Sequence, residues 1–395
     1  MEKTYNKISV TASGVLSPLG SNQVSVREAY KNNRHYLTKD LFNGEELFVG
    51  RLQEKDLEIA GEIRNGDPKY ASLDPSVIYA ILVSRIAVRE AGWNEEKDFG
   101  INFGSSRGAT ELFEKYHKEF LEKGYSSTLA SPTTTLGNIS SWVAHDLQNE
   151  GPQISHSITC STALHSLLNG VAWIRSGMSE RFLVGGSEAS LTPFTIAQMR
   201  SLKIYARDIA ADYPCRALDM EKSSNTMVLG EGAAAMCLER GVASNALAVI
   251  AGVGYATEIL KHNISITSDA VCFQRSMKMA LKGIDPREVD VIVMHAPGTI
   301  KGDLSELRAI GKVFGDHKPA LTSNKWKIGH TFGASGLLSA DLAITMIRDQ
   351  KFVGVPFEEG AGIRGPIRKV MVNAVGFGGN AVSILLEAPE KYLKE

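Results

Sequence analysis

Three side chains in this 395-residue sequence have the chemistry of covalent acyl transfer: one cysteine and two histidines. Cys160 stands where a β-rich segment meets a helical pattern, in ISHSITCSTALHSLLNG (154–170). The N-terminus of a helix stabilises a thiolate, so we expect a lowered pKa for this thiol. A thiolate is the nucleophile that accepts an acyl group from a thioester. A buried structural cysteine is the alternative interpretation.

The two histidines lie in segments rich in small residues. His295 ends the apolar run that starts at Val291, and ligand sites gather at the ends of strands in α/β proteins. His330 lies between Gly329 and the segment GASG, which permits the close approach of a thin ligand. Lys325 lies shortly upstream of His330. Each histidine alone is also compatible with a structural role.

A fourth segment, NAVGFGGNAVSILLE (373–387), places an aromatic ring on a flexible loop. Phe377 is flanked by Gly376, Gly378 and Gly379. Because glycine adopts backbone conformations closed to other residues, this loop is predicted to move and Phe377 to act as a gate. A plain hairpin turn is the competing interpretation.

Alternating strand and helix patterns must position these residues, which is typical of an α/β fold. A helix is predicted over 161–177, because its apolar positions follow helical spacing and a glycine suits its C-terminal cap. A short buried strand is predicted over 291–295. Another helix is expected after Gly302, where Asp303 and Glu306 fit a capping box.

A ten-residue internal match is either a chance similarity or a sign of two similar halves. Residues 230–239, GEGAAAMCLE, resemble residues 378–387, GGNAVSILLE. Each is a glycine-rich turn followed by an apolar strand. The repeat predicts an N-terminal half, 1–243, that carries Cys160 and a C-terminal half, 244–395, that carries the histidines.

The composition of the chain argues against several kinds of partner and against secretion or membrane insertion. The net charge of −1, from 43 Lys and Arg against 44 Asp and Glu, leaves no basic footprint for nucleic acid. The four cysteines form no CxxC pair, so neither a metal site nor a disulfide framework is indicated. The first residues lack the pattern of a signal peptide, and no long apolar run predicts membrane insertion. We expect a cytoplasmic protein.

In this order and spacing, the segments resemble the four motif blocks of the elongating β-ketoacyl-acyl-carrier-protein synthases. The resemblance begins at SVTASGVLSPLGSN (9–22) and covers nearly the whole chain. It implies the thiolase fold, a five-layered αβαβα architecture of two similar halves with mixed sheets. It also implies an acyltransferase that joins a cysteine-bound acyl group to malonyl-acyl-carrier protein by decarboxylative Claisen condensation. The setting would be fatty-acid, polyene or type II polyketide biosynthesis.

The resemblance assigns a role to each reactive residue. Cys160 matches the acyl-accepting cysteine in a setting like A-C-S-[ST]-A. His295 matches the histidine of H-G-T-x-T-x-x-G-D, and His330 that of K-S-x-x-G-H, whose lysine is Lys325. Both imidazoles are expected to be neutral and to donate hydrogen bonds to an enolate oxygen. Lys325 is expected to pair with Glu306 and to fix the His330 loop.

Further residues take supporting roles in the same comparison. Thr299 aligns with a threonine that hydrogen-bonds the pantetheine arm, and Phe377 with the gating phenylalanine of G-F-G-G. The backbone N–H groups of Phe377 and Cys160 are expected to form the oxyanion hole. The supporting and substrate-binding residues are Asp303, Glu306, Phe377, Thr299, Gly376 and Gly378. No metal or redox cofactor is expected, because phosphopantetheine arrives on the carrier protein and decarboxylation drives the reaction.

Some positions depart from the family's pattern. Pro297 replaces a threonine and offers neither hydroxyl nor N–H, so one pantetheine contact is expected to be lost or moved. The stretch CRALDMEKSSNTMVLGEG (215–232) lacks the usual R-D-G-F. Asn380 stands where threonine is usual, and Lys327 adds a charge beside the site loop. These departures favour a specialised polyene or polyketide enzyme.

The expected partners are acyl-carrier protein and a second subunit. A homodimer is the default, and a heterodimer with a chain-length-factor-like subunit is the alternative. A catalytically weak scaffold of that kind is a second candidate function, although such subunits have lost the nucleophile that Cys160 supplies. A thiolase-type acyltransferase is a third, although thiolases use a second cysteine near the C-terminus and none follows Cys272.

Overall fold

The computed structural model describes residues 7–136, 138–259, 266–358, 362–363 and 365–393. Within these residues, twelve strands and twelve α-helices alternate along the chain. The strands are β1 (Ile8–Leu16), β2 (Thr38–Phe42), β3 (Glu45–Val49), β4 (Gly100–Gly104), β5 (Gln153–His156), β6 (Arg181–Glu188), β7 (Gly232–Arg240), β8 (Ala248–Thr257), β9 (Val291–Val293), β10 (Ala320–Thr322), β11 (Lys369–Gly376) and β12 (Asn380–Glu387). The helices are α1 (Gln23–Tyr30), α2 (Glu54–Gly66), α3 (Pro75–Ala91), α4 (Thr110–Lys123), α5 (Ala130–Thr134), α6 (Asn138–Leu147), α7 (Thr162–Ser176), α8 (Pro193–Ser201), α9 (Val271–Ala280), α10 (Ile300–Phe314), α11 (Lys325–Ile328) and α12 (Ser335–Asp349).

Ten of the described strands form one mixed sheet in the order β10-β9-β11-β12-β8-β1-β7-β6-β4-β5. From the junction of β1 with β8, the order β1-β7-β6-β4-β5 is mirrored by β8-β12-β11-β9-β10. In each half the strands nearest the junction pair antiparallel and the outer ones pair parallel. The two similar halves expected from the sequence are therefore confirmed.

The internal repeat coincides with equivalent strands of the two halves. Residues 230–239 run into β7, and residues 378–387 run into β12. Both strands occupy the second place from the junction of β1 with β8. We propose that the halves divide between 243 and 244, in the connection from β7 to β8.

Helices cover both outer faces of the sheet and fill the space between its halves. Helix α3 packs on β1, β7 and β6, and α9 packs on β8 and β12. Helix α7 packs on β6 and β4, α12 packs on β11 and β9, and these two helices contact each other. This stacking is the expected αβαβα arrangement. None of the described helices is long and apolar enough to cross a membrane.

The central helix layer explains how the site residues are supported. Helix α7 was predicted over 161–177, and it ends at Ser176 with Gly177 in the left-handed conformation as its cap. Its Leu164 is fully buried against α12. A Cβ added to Gly336 would lie 2.7 Å from Leu164 Cγ, so the two helices approach closely only because α12 carries glycine there.

The helix expected after Gly302 begins earlier than the sequence suggested. Helix α10 starts at Ile300, and Thr299 Oγ1 caps it by accepting a hydrogen bond from the Gly302 N–H at 3.2 Å. Asp303 and Glu306 therefore lie inside the helix, and the predicted capping box is wrong. Threonine, like aspartate, has a short side chain that can accept the capping hydrogen bond. Thr299 lies four residues before Asp303, so the helix begins earlier than predicted.

Candidate active site

Cys160 lies just before α7, in a segment where Thr159 has a positive φ of 48°. The cysteine is 6% exposed. Burial raises the pKa of its thiol to about 12, and the Glu188 carboxylate raises it further, whereas Lys325 and Arg107 lower it. The prediction of a lowered pKa is therefore wrong, because burial raises the pKa of the thiol by more than the N-terminus of α7 lowers it.

Glu188, at the end of β6, is a buried carboxylate that the sequence analysis did not single out. Its Oε1 accepts hydrogen bonds from the N–H groups of Ser106 and of Gly333, the latter at 3.1 Å. Burial raises the pKa of Glu188 to about 7. The carboxylate thus ties the loop after His330 to the end of β4. An acidic residue inside the small, apolar string VGGSEAS was the available signal.

The two predicted histidines face each other. The ring centroids of His295 and His330 are 5.2 Å apart, and the ring planes are nearly perpendicular at 88°. Burial lowers the pKa of His330 to about 3 and that of His295 well below its usual range, and the nearby Lys325 charge lowers both. Both imidazoles are therefore neutral at pH 7, as expected from the sequence. Each Nδ1 is buried without a hydrogen-bond partner among the described residues.

The loop that carries His295 is held by a buried carboxylate. Glu306 accepts the backbone N–H of His295 at 3.0 Å and that of Ala296 at 2.9 Å. The Asn373 amide donates to the same carboxylate at 3.2 Å. Ala296 has a positive φ of 23°, a strained conformation for a residue with a side chain. The hydrogen bonds to Glu306 hold the backbone in this conformation.

The segment that carries His330 is held by backbone hydrogen bonds instead. The His330 N–H donates to the Val228 carbonyl at 2.7 Å, and its own carbonyl accepts from the Gly230 N–H at 3.1 Å. A Cβ on Gly230 would lie 2.3 Å from the Ile328 carbonyl oxygen, so this close approach requires glycine. The glycine-rich turn of the internal repeat therefore also positions a site residue.

Lys325 begins α11 and is only 1% exposed. Burial lowers the pKa of its ammonium group, and the charges of Glu306, Asp303 and Cys160 oppose that effect. The expected direct ion pair with Glu306 is not formed, although the Glu306 charge acts on Lys325 at longer range; the neighbouring Asp303 is paired with Lys222. Lys325 acts through space on the nucleophile and on both imidazoles.

Phe377 lies in the turn of the hairpin formed by β11 and β12 and is 39% exposed. Its carbonyl accepts a hydrogen bond from Thr159 Oγ1 at 3.2 Å, beside Cys160. A Cβ on Gly376 would lie 1.7 Å from Thr159 Oγ1, so glycine lets the turn pack against the segment before Cys160. Gly378, with φ of 97°, makes the turn itself. The hairpin is confirmed, and the gating role stays a prediction.

Two of the unusual residues have structural partners. Lys327 is turned away from the site, and its Nζ donates to the backbone carbonyls of Asn32 at 2.6 Å and Arg34 at 2.7 Å. The added charge of Lys327 is therefore bound by backbone carbonyls of the segment 32–34. Asn380 accepts a hydrogen bond from Thr257 Oγ1 at 3.0 Å within the sheet.

A cavity of about 650 Å³ opens next to the His295 loop. Its wall includes Thr226, whose N–H and hydroxyl both donate to the Gly298 carbonyl, at 2.9 and 3.0 Å. Its charged lining comprises Lys203, Arg207, Asp208 and Glu221, together with Arg216 and Lys222, which are paired with Asp219 and Asp303. Within the described residues, no group of three or more His, Cys, Asp and Glu side chains could hold a metal ion.

Family models match most of the chain. The model described as beta-ketoacyl synthase, N-terminal domain, matches residues 6–243, and the corresponding C-terminal domain model matches residues 247–356. The 3-oxoacyl-[acyl-carrier-protein] synthase 2 of Coxiella burnetii is 29% identical, over 98% of this chain and 99% of that protein. The enzyme of the same name from Staphylococcus aureus is 26% identical, over 87% of this chain and 86% of its own length.

Solved structures share the architecture. The ishigamide ketosynthase/chain length factor superposes with a TM-score of 0.85 at 21% identity, over 97% of this chain and 99% of that one. The ketosynthase in the type II polyketide complex AntDE:AntF, which includes an acyl-carrier protein, superposes with a TM-score of 0.81 at 19% identity over the same shares. This likeness confirms the thiolase fold that the sequence predicted.

Proposed function

Because the chain belongs to the β-ketoacyl synthase family of acyltransferases, we propose that it condenses a Cys160-bound acyl group with malonyl-acyl-carrier protein. One observation carries this proposal above the others. The neutral imidazole rings of His295 and His330 are nearly perpendicular, with their centroids 5.2 Å apart. The Lys325 charge acts on both rings and on the Cys160 thiol. A cysteine protease pairs its thiol with one histidine, whereas two neutral donors suit an enolate oxygen.

Acyl transfer is the first proposed half-reaction. The sulfur of Cys160 attacks the thioester carbonyl of an acyl-carrier protein, and the carrier's thiol leaves with the proton of Cys160. The backbone N–H groups of Cys160 and Phe377 would hold the tetrahedral oxyanion. Support for the second donor is the bond from Thr159 to the Phe377 carbonyl, which keeps the Phe377 turn beside the nucleophile. A donor pair of this kind is worth several kcal/mol.

Decarboxylative condensation is the second proposed half-reaction. The malonyl thioester loses carbon dioxide, and the electron pair of the broken C–C bond forms an enolate whose oxygen accepts hydrogen bonds from His295 and His330. The enolate carbon then attacks the Cys160 thioester, the C–S bond breaks, and the Cys160 thiolate leaves and takes a proton from solvent. The β-ketoacyl product stays on the carrier protein. Neutral imidazoles suit this step, because they donate an N–H without a prior change of charge. Lys325 biases both rings toward that neutral form.

We propose that the cavity beside Gly298 admits the phosphopantetheine arm of the carrier protein. Thr299 lies next along the chain, and its hydroxyl accepts from the Gly302 N–H, so its proton is free to bind the arm. Acyl-carrier protein is the partner named in the relatives' reaction. Gly376 and Gly378 give the Phe377 turn the conformation that the substrate path would need.

We propose that a second subunit binds at the edge strand β5 or on the exposed apolar side of α4. Strand β5 is an edge of the ten-stranded sheet, and an edge strand is a template for pairing with another chain. Helix α4 buries few of its residues and exposes Phe113 at 59%, Phe120 at 49% and Leu121 at 70%. A homodimer is the simplest solution, and light scattering of the purified chain distinguishes it from a monomer that awaits a chain-length-factor-like partner.

Intact-mass measurement tests the proposed activity. The protein is incubated with acyl-acyl-carrier protein, and Cys160 is expected to gain the mass of the acyl group, whereas Cys160→Ala is expected to gain none. Addition of malonyl-acyl-carrier protein should then remove that mass and release carbon dioxide. A folded protein that never gains acyl mass would favour the scaffold function instead.

The altered surroundings of the site support a specialised pathway, which we propose as the setting. Pro297 replaces a residue that could donate to the pantetheine arm, and the stretch 215–232 builds the cavity wall with an unusual sequence. Steady-state rates with saturated and polyunsaturated acyl carriers of equal length test this. Equal or better use of the saturated chain would count against it.

A further inference from the structure

Lys222 and Asp303 form a buried ion pair beside the His295 loop. The two side chains are 3% and 0% exposed, and Lys222 Nζ lies 2.7 Å from Asp303 Oδ2. The ammonium also donates to the Asp219 carbonyl at 2.6 Å. Lys222 comes from the stretch 215–232, and the sequence analysis assigned it no role. A buried ion pair adds little net stability, because the cost of removing both charges from water offsets their attraction. The position of this pair beside the His295 loop points instead to a role in the site.

The carboxylate of this pair joins two segments of the chain. Asp303 Oδ2 accepts the N–H of Leu218 at 3.0 Å, and Oδ1 accepts the N–H of Gly298 at 3.0 Å. Leu218 and Gly298 both have positive φ, of 72° and 87°. For leucine that conformation is strained, so it persists only where its surroundings enforce it. Lys222 provides the charge that keeps the Asp303 acceptors in place.

The same segment holds the His295 loop at two further points. Thr226 donates through its N–H and its hydroxyl to the Gly298 carbonyl, at 2.9 and 3.0 Å. Asn225 accepts the N–H of Ile300 at 3.0 Å. Gly298 is therefore fixed at both its N–H and its carbonyl by groups that the 218–226 segment carries or supports. Glu306 fixes the other end of the loop, at the N–H of His295.

We propose that Lys222 is a positioning residue for His295, acting through Asp303 and the backbone of Gly298. The inference rests on the proposed function, in which His295 stabilises the enolate. Cys160 lies on another segment, which is held by Thr159 and the Phe377 turn. Lys222 therefore governs decarboxylation of the malonyl donor and leaves acyl transfer to Cys160 largely unaffected.

The test separates the two half-reactions in purified full-length variants. Lys222→Met removes the charge at similar length, Lys222→Arg retains it, and Lys282→Met removes an exposed lysine as the control. Acylation of Cys160 is followed by intact mass, and decarboxylation by carbon dioxide released from malonyl-acyl-carrier protein. We expect Lys222→Met to acylate within about threefold of wild type but to decarboxylate about tenfold or more slowly, the effect of a small misplacement.

Rescue by arginine provides the second readout. Lys222→Arg should recover at least half of the lost decarboxylation rate, and Lys282→Met should match wild type in both steps. The proposal is overturned if Lys222→Met decarboxylates at the wild-type rate, or if both steps fall equally in a folded protein. If the methionine variant does not fold, Lys222→Gln, which keeps a donor without the charge, carries the same expectation and the same refutation. Failure of the wild type in both steps would instead refute the proposed function.

Discussion

Replacing Glu306 by glutamine should slow decarboxylation without removing the nucleophile. The carboxylate accepts three hydrogen bonds, from the His295 N–H, the Ala296 N–H and the Asn373 amide. With its carbonyl oxygen at the Oε1 position, the glutamine still accepts from the His295 N–H and the Asn373 amide. Its NH₂ group then faces the Ala296 N–H, and two donors meet. A buried donor left without an acceptor costs about 1–3 kcal/mol. The loop would relieve this conflict by moving.

The expected size of the effect follows from the geometry of the loop. A displacement of about 1 Å at a positioned group costs about a hundredfold in rate, so carbon dioxide release from malonyl-acyl-carrier protein should fall by ten- to about a hundredfold. Urea unfolding should show a loss of about 2 kcal/mol. Intact mass should show Cys160 acylated at nearly the wild-type rate. Glu62→Gln, on an exposed position of α2, is the control and should change neither quantity.

One result would refute this reasoning. If Glu306→Gln unfolds more easily but releases carbon dioxide at the wild-type rate, the hydrogen bonds to the loop do not set the position of His295. A loss of Cys160 acylation equal to the loss of decarboxylation would also contradict it, since the backbone that Glu306 holds by hydrogen bonds belongs to the His295 loop.

Three further predictions test other parts of the site. Because burial raises the pKa of Cys160 to about 12, its alkylation by iodoacetamide should rise about tenfold per pH unit from pH 7 to 10; a plateau near pH 8 would show a lower pKa. Gly376→Ala should displace the Phe377 turn, because the added Cβ would lie 1.7 Å from Thr159 Oγ1. The acylation rate, followed by intact mass in quenched time points, should fall by about tenfold or more. An unchanged acylation rate would argue against a role for this turn. Lys327→Met should lower stability by about 1–3 kcal/mol in urea melts, since the Asn32 carbonyl loses its donor; it should leave both half-reactions unchanged, and altered catalysis would contradict its structural role.

The reactive residues were visible in the sequence because their types and spacing are local features. Cys160 precedes a periodic helix, and His295 ends an apolar run, so each could be placed on an element. Their ionisation was harder to anticipate. The pKa of the Cys160 thiol is raised by burial, and the extent of burial depends on segments that are distant in the sequence. The Glu188 carboxylate, on β6, raises this pKa further.

The supporting contacts were the least accessible to sequence reasoning. Asp303 is in contact with Lys222 rather than with Lys325, and the two lysines lie on segments about a hundred residues apart. Lys327 follows Lys325 closely in the chain but its ammonium reaches Asn32. Which of several lysines meets a carboxylate is decided by the packing of loops, and the identity of the residues alone does not contain that information.

The narrow junction between β1 and β8 has a consequence for how activity arises during folding. Among the described residues, β1 and β8 pair at just two positions, Ser9 with Val249 and Val10 with Ala248. The nucleophile lies on one side of that junction and both imidazoles lie on the other. A nascent or partly unfolded chain with one half formed therefore has a thiol without its partners. If the chain has the proposed activity, such an intermediate is inactive until the two halves have docked in register.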